Sequence, residues 1–247
     1  MKVYILFLLS VLLVSDALAS EPLRFIVNYP GSAPYLYFDK ESDKYKGVIP
    51  DILEPLIEQN KLKIRYIANS RKRSEEYMYD GVADMIMLSE QWLSQPDQLI
   101  ATIPLLEHKS FLYKSRPFSA NFSLSESSRR DRLCTRQGYV YPNLQMYIDS
   151  KRLIRVDSSN HLSMLRMLFK DRCELVVMNE YNAANLMNSS FFTDEKLFPS
   201  EEPITVVPLN IILRKPILKE KQILDAHIRQ LREQGDIERF IDKHMGR

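Results

Sequence analysis

The side chains able to hold a small molecule sit just past apolar, strand-like runs of the chain. In the first half these are Tyr35 and Tyr37 in a proline loop, Arg73 in a basic run, and Ser89, Glu90 and Trp92 after the run 83–88. In the second half they are Arg136 at the end of the run 133–136, Gly138 and Tyr139 just past it, and Asn179 and Glu180 after the run 174–178. Side chains of these types capture a ligand without making bonds. An aromatic face with a polar tip suits a half-wet site, a guanidinium clamps an anion, and a turn such as Gln137-Gly138 donates backbone N–H groups. Each position also has a plainer reading. Tyr35 can cover a loop at the surface, Arg73 belongs to the solvated run Arg71-Lys72-Arg73, and Asn179 and Glu180 can cap a helix over 181–187.

Other chemistries lack their residues. His108, His161, His227 and His244 show no H-x3-H spacing and the two cysteines no C-x2-C spacing, so no metal site is expected. No G-x-S-x-G run and no nucleophile–base pair is visible, which argues against covalent catalysis. Six glycines and no phosphate-cradling glycine motif argue against a nucleotide enzyme, and no cofactor is expected. A formal net charge of +2, with basic clusters interrupted by acids, gives no field for nucleic acid.

The elements that position these residues alternate. A strand at 23–27 leads into the loop Tyr29-Pro30-Gly31-Ser32-Ala33-Pro34, and Val48, Ile49, Ile52, Leu53, Leu56 and Ile57 make a helical stripe in which Pro55 should introduce a kink. A strand over 62–67, a short helix over 74–79 and a buried strand over 83–88 complete a β-α-β-α-β unit. The same order recurs: strand 133–136, helix 144–150, strand 153–156, helix 161–169 and strand 174–178. Two α/β lobes follow from that repetition. The polar, aperiodic stretch 118–132 reads as a loop, and amphipathic helices over 223–234 and 236–245, separated by Gly235, close the chain.

Lys2, the apolar run 4–14 and Ala17-Leu18-Ala19 have the form of a cleaved secretory signal over 1–19. The run is too short to span a bilayer, and the residue after the expected cut is Ser20 rather than a lipid-accepting cysteine. Export to the periplasm permits a bridge between Cys134 and Cys173, each at the edge of an apolar run; two buried free thiols are the alternative.

Taken together, the pieces resemble the bacterial extracellular solute-binding proteins of family 3, the polar-amino-acid type of class II periplasmic binding protein. The resemblance is carried by the strand 23–27 before Pro34-Tyr35, by Tyr45-Lys46-Gly47-Val48-Ile49-Pro50-Asp51-Ile52-Leu53, and by Asp80-Gly81-Val82-Ala83-Asp84-Met85-Ile86. It continues through Cys134-Thr135-Arg136-Gln137-Gly138, through the run 170–177, and through Leu231-Arg232-Glu233-Gln234-Gly235-Asp236-Ile237. It implies an α/β fold of type II with two lobes joined by two crossing strands and a ligand cleft between them. The expected division is 20–113 with 209–247 in lobe 1 and 114–208 in lobe 2. The resemblance also implies hinge closure on a small polar solute, a monomer, an ABC permease or membrane sensor as partner, and Tyr35 stacked on the ligand.

Two positions depart from that family. The stretch 93–98 has no arginine where amino-acid-binding members clamp the ligand carboxylate, and Asn179 stands where they carry an aspartate for the ammonium. An ordinary amino acid would lose two charge-assisted contacts of roughly 1.5–3 kcal/mol each. Three readings result: a solute-binding protein, a module whose cleft has given way to contact with another envelope protein, or a dehydratase-like enzyme using Glu90 or Glu180 as general acid.

Overall fold

The computed structural model describes residues 21–120, 122–124 and 130–246. The expected signal segment lies outside them. The first lobe opens with β1 (Leu23–Asn28), the short strands β2 (Gly31–Ser32), β3 (Leu36–Asp39) and β4 (Lys44–Lys46), and helix α1 (Val48–Glu58). It continues through β5 (Ile64–Asn69), α2 (Arg71–Tyr79), β6 (Met85–Leu88) and β7 (Leu99–Ala101).

The second lobe holds β8 (Leu106–Lys114), β9 (Asp131–Arg136), α3 (Pro142–Asp149), β10 (Leu153–Ser158) and α4 (His161–Phe169). After β11 (Leu175–Asn179), α5 (Glu180–Met187) and β12 (Phe198–Pro199), the long strand β13 (Thr205–Arg214) returns to the first lobe. There α6 (Leu218–Glu233) and α7 (Asp236–Met245) close the chain.

The main sheet runs β10-β9-β11-β8-β13-β6-β1-β5. Within each lobe three strands are parallel, β5-β1-β6 and β10-β9-β11, as short strand–helix–strand units require. β13 joins the lobes. Its residues 205–209 pair with β8 and its residues 210–214 with β6 and β7. Because β8 also pairs with β11 and β12, it belongs to the second lobe's sheet. The first crossing therefore lies near 102–106. At that crossing Asn210 Nδ2 donates to the Thr102 carbonyl at 2.7 Å and Ile211 N donates to Thr102 Oγ1 at 3.0 Å.

Alternation explains the layering. Phe25 and Val27 of β1 face the core formed with α1, α6 and α7, while Ile26 faces Met78 of α2 on the other side. In the second lobe Leu133 and Leu175 pack with Leu144 of α3, and Cys134 and Val176 pack with Met164, Leu165 and Leu168 of α4. Cys134 and Cys173 form a disulfide with Cα atoms 5.8 Å apart, fastening the start of β11 to β9.

α1 passes through Pro55 as one helix, because its buried stripe of Val48, Ile49, Ile52, Leu53 and Leu56 lies on both sides of the proline. α2 starts earlier than its weak apolar pattern suggests, which puts Arg71, Lys72 and Arg73 in its first turn. No helix among the described residues is long and apolar enough to cross a membrane.

Candidate functional site

The carboxyl ends of the parallel strands from both lobes meet at one crevice, the place where open α/β sheets bind ligands. Asn28 ends β1, Asn69 ends β5, Leu88 ends β6, Arg136 ends β9 and Asn179 ends β11. Tyr35 reaches the same crevice from its loop. The first N–H groups of α1 hold the loop backbone, Val48 N donating to the Pro34 carbonyl at 2.9 Å and Ile49 N to the Tyr35 carbonyl at 3.0 Å. That close approach needs Gly47, whose φ of 127° is left-handed and where a Cβ would run into the Tyr35 carbonyl.

The crevice encloses a cavity of about 100 Å³. Tyr35, Arg71 and Trp92 line it from the first lobe, and Tyr139, His161 and Asn179 from the second. His108 and Ser110 of β8 form its back wall. The rings make an interlocked frame: Trp92 meets His108 edge-on at 5.2 Å, Tyr35 meets Tyr181 edge-on at 6.1 Å, and Tyr139 meets His161 edge-on at 6.5 Å.

Asn179 sets the polar pattern. Its Oδ1 accepts from Tyr181 N at 2.9 Å and from Asn182 N at 3.4 Å, capping α5. Its Nδ2 therefore donates, to the Lys109 carbonyl at 3.0 Å and at a longer 3.4 Å to His108 Nδ1. An accepting Nδ1 leaves the His108 proton on Nε2, which donates to Ser110 Oγ at 3.1 Å. Burial lowers the His108 pKa to about 4, so the ring is neutral. Burial, with Arg136 and His108 adding repulsion, lowers that of His161 to about 3. Burial pushes the Tyr35 phenol well above its usual value, with Tyr181 and Glu180 adding to the rise. Arg71, the one guanidinium lining the cavity among the described residues, lies 2.6 Å from Glu75 and donates to the Trp92 carbonyl at 3.3 Å. The cavity thus offers aromatic faces and neutral hydrogen-bonding groups.

Of the residues expected from sequence, Tyr35, Trp92, Tyr139 and Asn179 come together around this cavity. Arg73, Arg136 and Gly138 line a neighbouring groove between the lobes. Four lie outside both spaces. Tyr37 packs on α7, its hydroxyl 3.1 Å from His244 Nδ1. Ser89 is wholly buried with no partner for its hydroxyl, and Glu90 is exposed in the turn after it. Glu180 is the first residue of α5.

Sequence reasoning missed Arg71, His108, Ser110, Tyr141 and His161. Arg71 could have been found from the helix start. The histidines carry no sequence signal beyond metal-ligand spacing, and no group of three or more His, Cys, Asp or Glu suited to a metal lies among the described residues.

No family model matches the chain, and no curated protein sequence does. Solved structures do match. An amino acid ABC transporter substrate-binding protein from Streptococcus pneumoniae bound to L-arginine superposes with a TM-score of 0.73 at 14% identity, covering 91% of this chain and 94% of that one. The fold is that of the type II periplasmic binding proteins. A histidine kinase sensor domain with similarity to periplasmic binding proteins gives a TM-score of 0.73 at 18% identity over 91% of this chain and 96% of that one. The GluR0 ligand-binding core in complex with L-glutamate gives 0.74 at 13% identity over 92% of this chain and 99% of that one.

Proposed function

We propose that the protein captures a small polar solute, amino-acid-like or an organic acid, in the cavity between its lobes and reports it by hinge closure. The observation that carries this reading is a cavity lined from both lobes, by Tyr35 and Trp92 from one and by Tyr139 and Asn179 from the other. A solute touching both lobes favours the closed arrangement by its contacts with the second lobe, which is how binding becomes a shape change. The solved structures of like fold include a transport binding protein and a sensor domain, so the closed form serves either an ABC permease or a membrane sensor. The protein acts as a monomer in the periplasm, exported by its N-terminal signal, and releases its solute unchanged.

A second reading has a specific observation in its favour. Asn179 is committed to capping α5 and Arg71 is paired with Glu75, so the described residues lining the cavity hold no free pair of charges for both ends of an amino acid. That arrangement suits a module that contacts another envelope protein. A thermal-shift screen with amino acids, oligopeptides, polyamines, organic acids and sugars decides between them. A ligand at about 100 times its Kd adds roughly 2.7 kcal/mol, a shift of several degrees. Silence across the panel removes the solute-binding reading.

A further inference from the structure

Beside the aromatic cavity, the N-terminus of α2 faces the turn after β9 across a groove of about 500 Å³. Arg71, Lys72, Arg73 and Arg136 line it, and no acidic side chain among the described residues does. Glu75 neutralises Arg71, but Lys72, Arg73 and Arg136 have no ion pair among the described residues. Arg136 is only 5% exposed, a cation withdrawn from water with no carboxylate beside it. Its terminal nitrogens donate to the Ser159 and Tyr29 carbonyls, and its Nε is buried without a partner. Asn69, 8% exposed, turns Oδ1 to Ser70 N at 2.9 Å and leaves Nδ2 buried without a partner. The Ser70 side chain caps none of the first N–H groups of α2. Gly138, at a φ of +77°, brings the second lobe's turn against that helix end: a Cβ there would sit 3.2 Å from Lys72 N.

Burying a cation without a counter-charge is costly, and buried donors are nearly always satisfied. A groove lined by Arg136, Asn69 and the N-terminus of α2, where Lys72, Arg73 and Arg136 have no ion pair among the described residues and two buried donors have no partner, is complementary to an anion. We propose that this groove binds a phosphate group. A tetrahedral dianion presents oxygens in several directions, which matches donors arriving from β5, β9 and α2 better than a flat, singly charged carboxylate does. Arg71 borders both spaces, so a phosphate in the groove directs whatever it is attached to into the aromatic cavity. The proposal rests on the solute-binding reading only for that attached part.

The test is calorimetric titration of the purified protein with inorganic phosphate, and separately with acetate, at low salt. Phosphate binds at one site with a Kd below roughly 1 mM, and acetate at least tenfold more weakly. Arg136→Gln weakens phosphate at least tenfold, and Arg73→Gln, an exposed change, weakens it about threefold with a shallower salt dependence. Lys219→Ala, an equal charge loss on α6 far along the chain, leaves the affinity unchanged. No binding up to roughly 10 mM, acetate equal to phosphate, or an unchanged affinity in Arg73→Gln each overturns the proposal; the last decides even where Arg136→Gln fails to fold. Phosphate binding with a silent solute panel would sink the solute-binding reading and leave the groove, and a panel hit without phosphate affinity would do the reverse.

Discussion

Asn179 and His108 share a hydrogen bond that couples a helix cap to the wall of the cavity: Asn179 Nδ2 donates to His108 Nδ1 at 3.4 Å while Asn179 Oδ1 closes the N-terminus of α5. Replacing Asn179 with Asp keeps the cap but puts a carboxylate against the ring. The prediction is that Asn179→Asp raises the His108 pKa from about 4 toward neutrality, read by NMR titration of the ring protons. Asn179→Ala loses the cap and costs about 1 kcal/mol in urea denaturation. An unmoved His108 titration in Asn179→Asp would show that the two side chains do not interact.

Stability should fall on mild acidification. His108 and His161 are held neutral with pKa values near 4 and 3, so between pH 6.5 and about 4 the unfolded chain binds protons that the folded one refuses. Stability from these groups is full above the unfolded pKa and is lost as pH drops below it. Melting temperature followed from pH 7.5 to 4.5 checks this, and His108→Gln makes the curve shallower.

Asp84 shows a second dependence further down the scale. It accepts from Arg24 Nε at 2.7 Å and from Arg214 Nε at 2.9 Å, joining β1 to β13 just ahead of β6. Burial raises its pKa, but the hydrogen bonds from the Arg24 side chain and backbone and from Arg214 outweigh that and bring it down to about 2. Its stabilisation is present above the unfolded value near 4 and is lost as pH falls toward 2. Asp84→Asn leaves two arginines against an amide and costs roughly 3 kcal/mol, measured by denaturant unfolding at pH 7.

Much of the fold was legible because its signals are local. The period of α1, the apolar strands 83–88 and 174–178 and the His161–Phe169 helix each announce themselves within a few residues. β8 and β13 did not, since each passes from one environment to another along its length and neither keeps a single period. The cavity was legible at strand ends and in the Pro34-Tyr35 loop. Its back wall was not, because His108 and Ser110 lie on β8. Glu90 shows the limit of the strand-end rule: its neighbour Ser89 turns inward to full burial, so Glu90 faces solvent and Trp92 comes round to the cavity.

The Cys134–Cys173 disulfide closes a separation of 39 residues around α3, β10 and α4. Loop entropy gives it roughly 4 kcal/mol. Reduction, or the paired change of both cysteines to alanine, should lower the unfolding free energy by about that much, and equal urea midpoints with and without reductant would contradict it.

Trp92 is the chain's one tryptophan and lines the cavity, so its fluorescence reads occupancy directly. The decisive measurement is a titration of Trp92 emission with whichever solute raises the melting temperature, repeated in Tyr35→Ala and Glu90→Ala. The account predicts a saturable one-site change, weakened at least tenfold (about 1.4 kcal/mol) in Tyr35→Ala and unaltered in Glu90→Ala. A solute that stabilises the protein while Trp92 emission stays constant, or that binds Tyr35→Ala as well as the parent, would contradict a ligand site between the lobes.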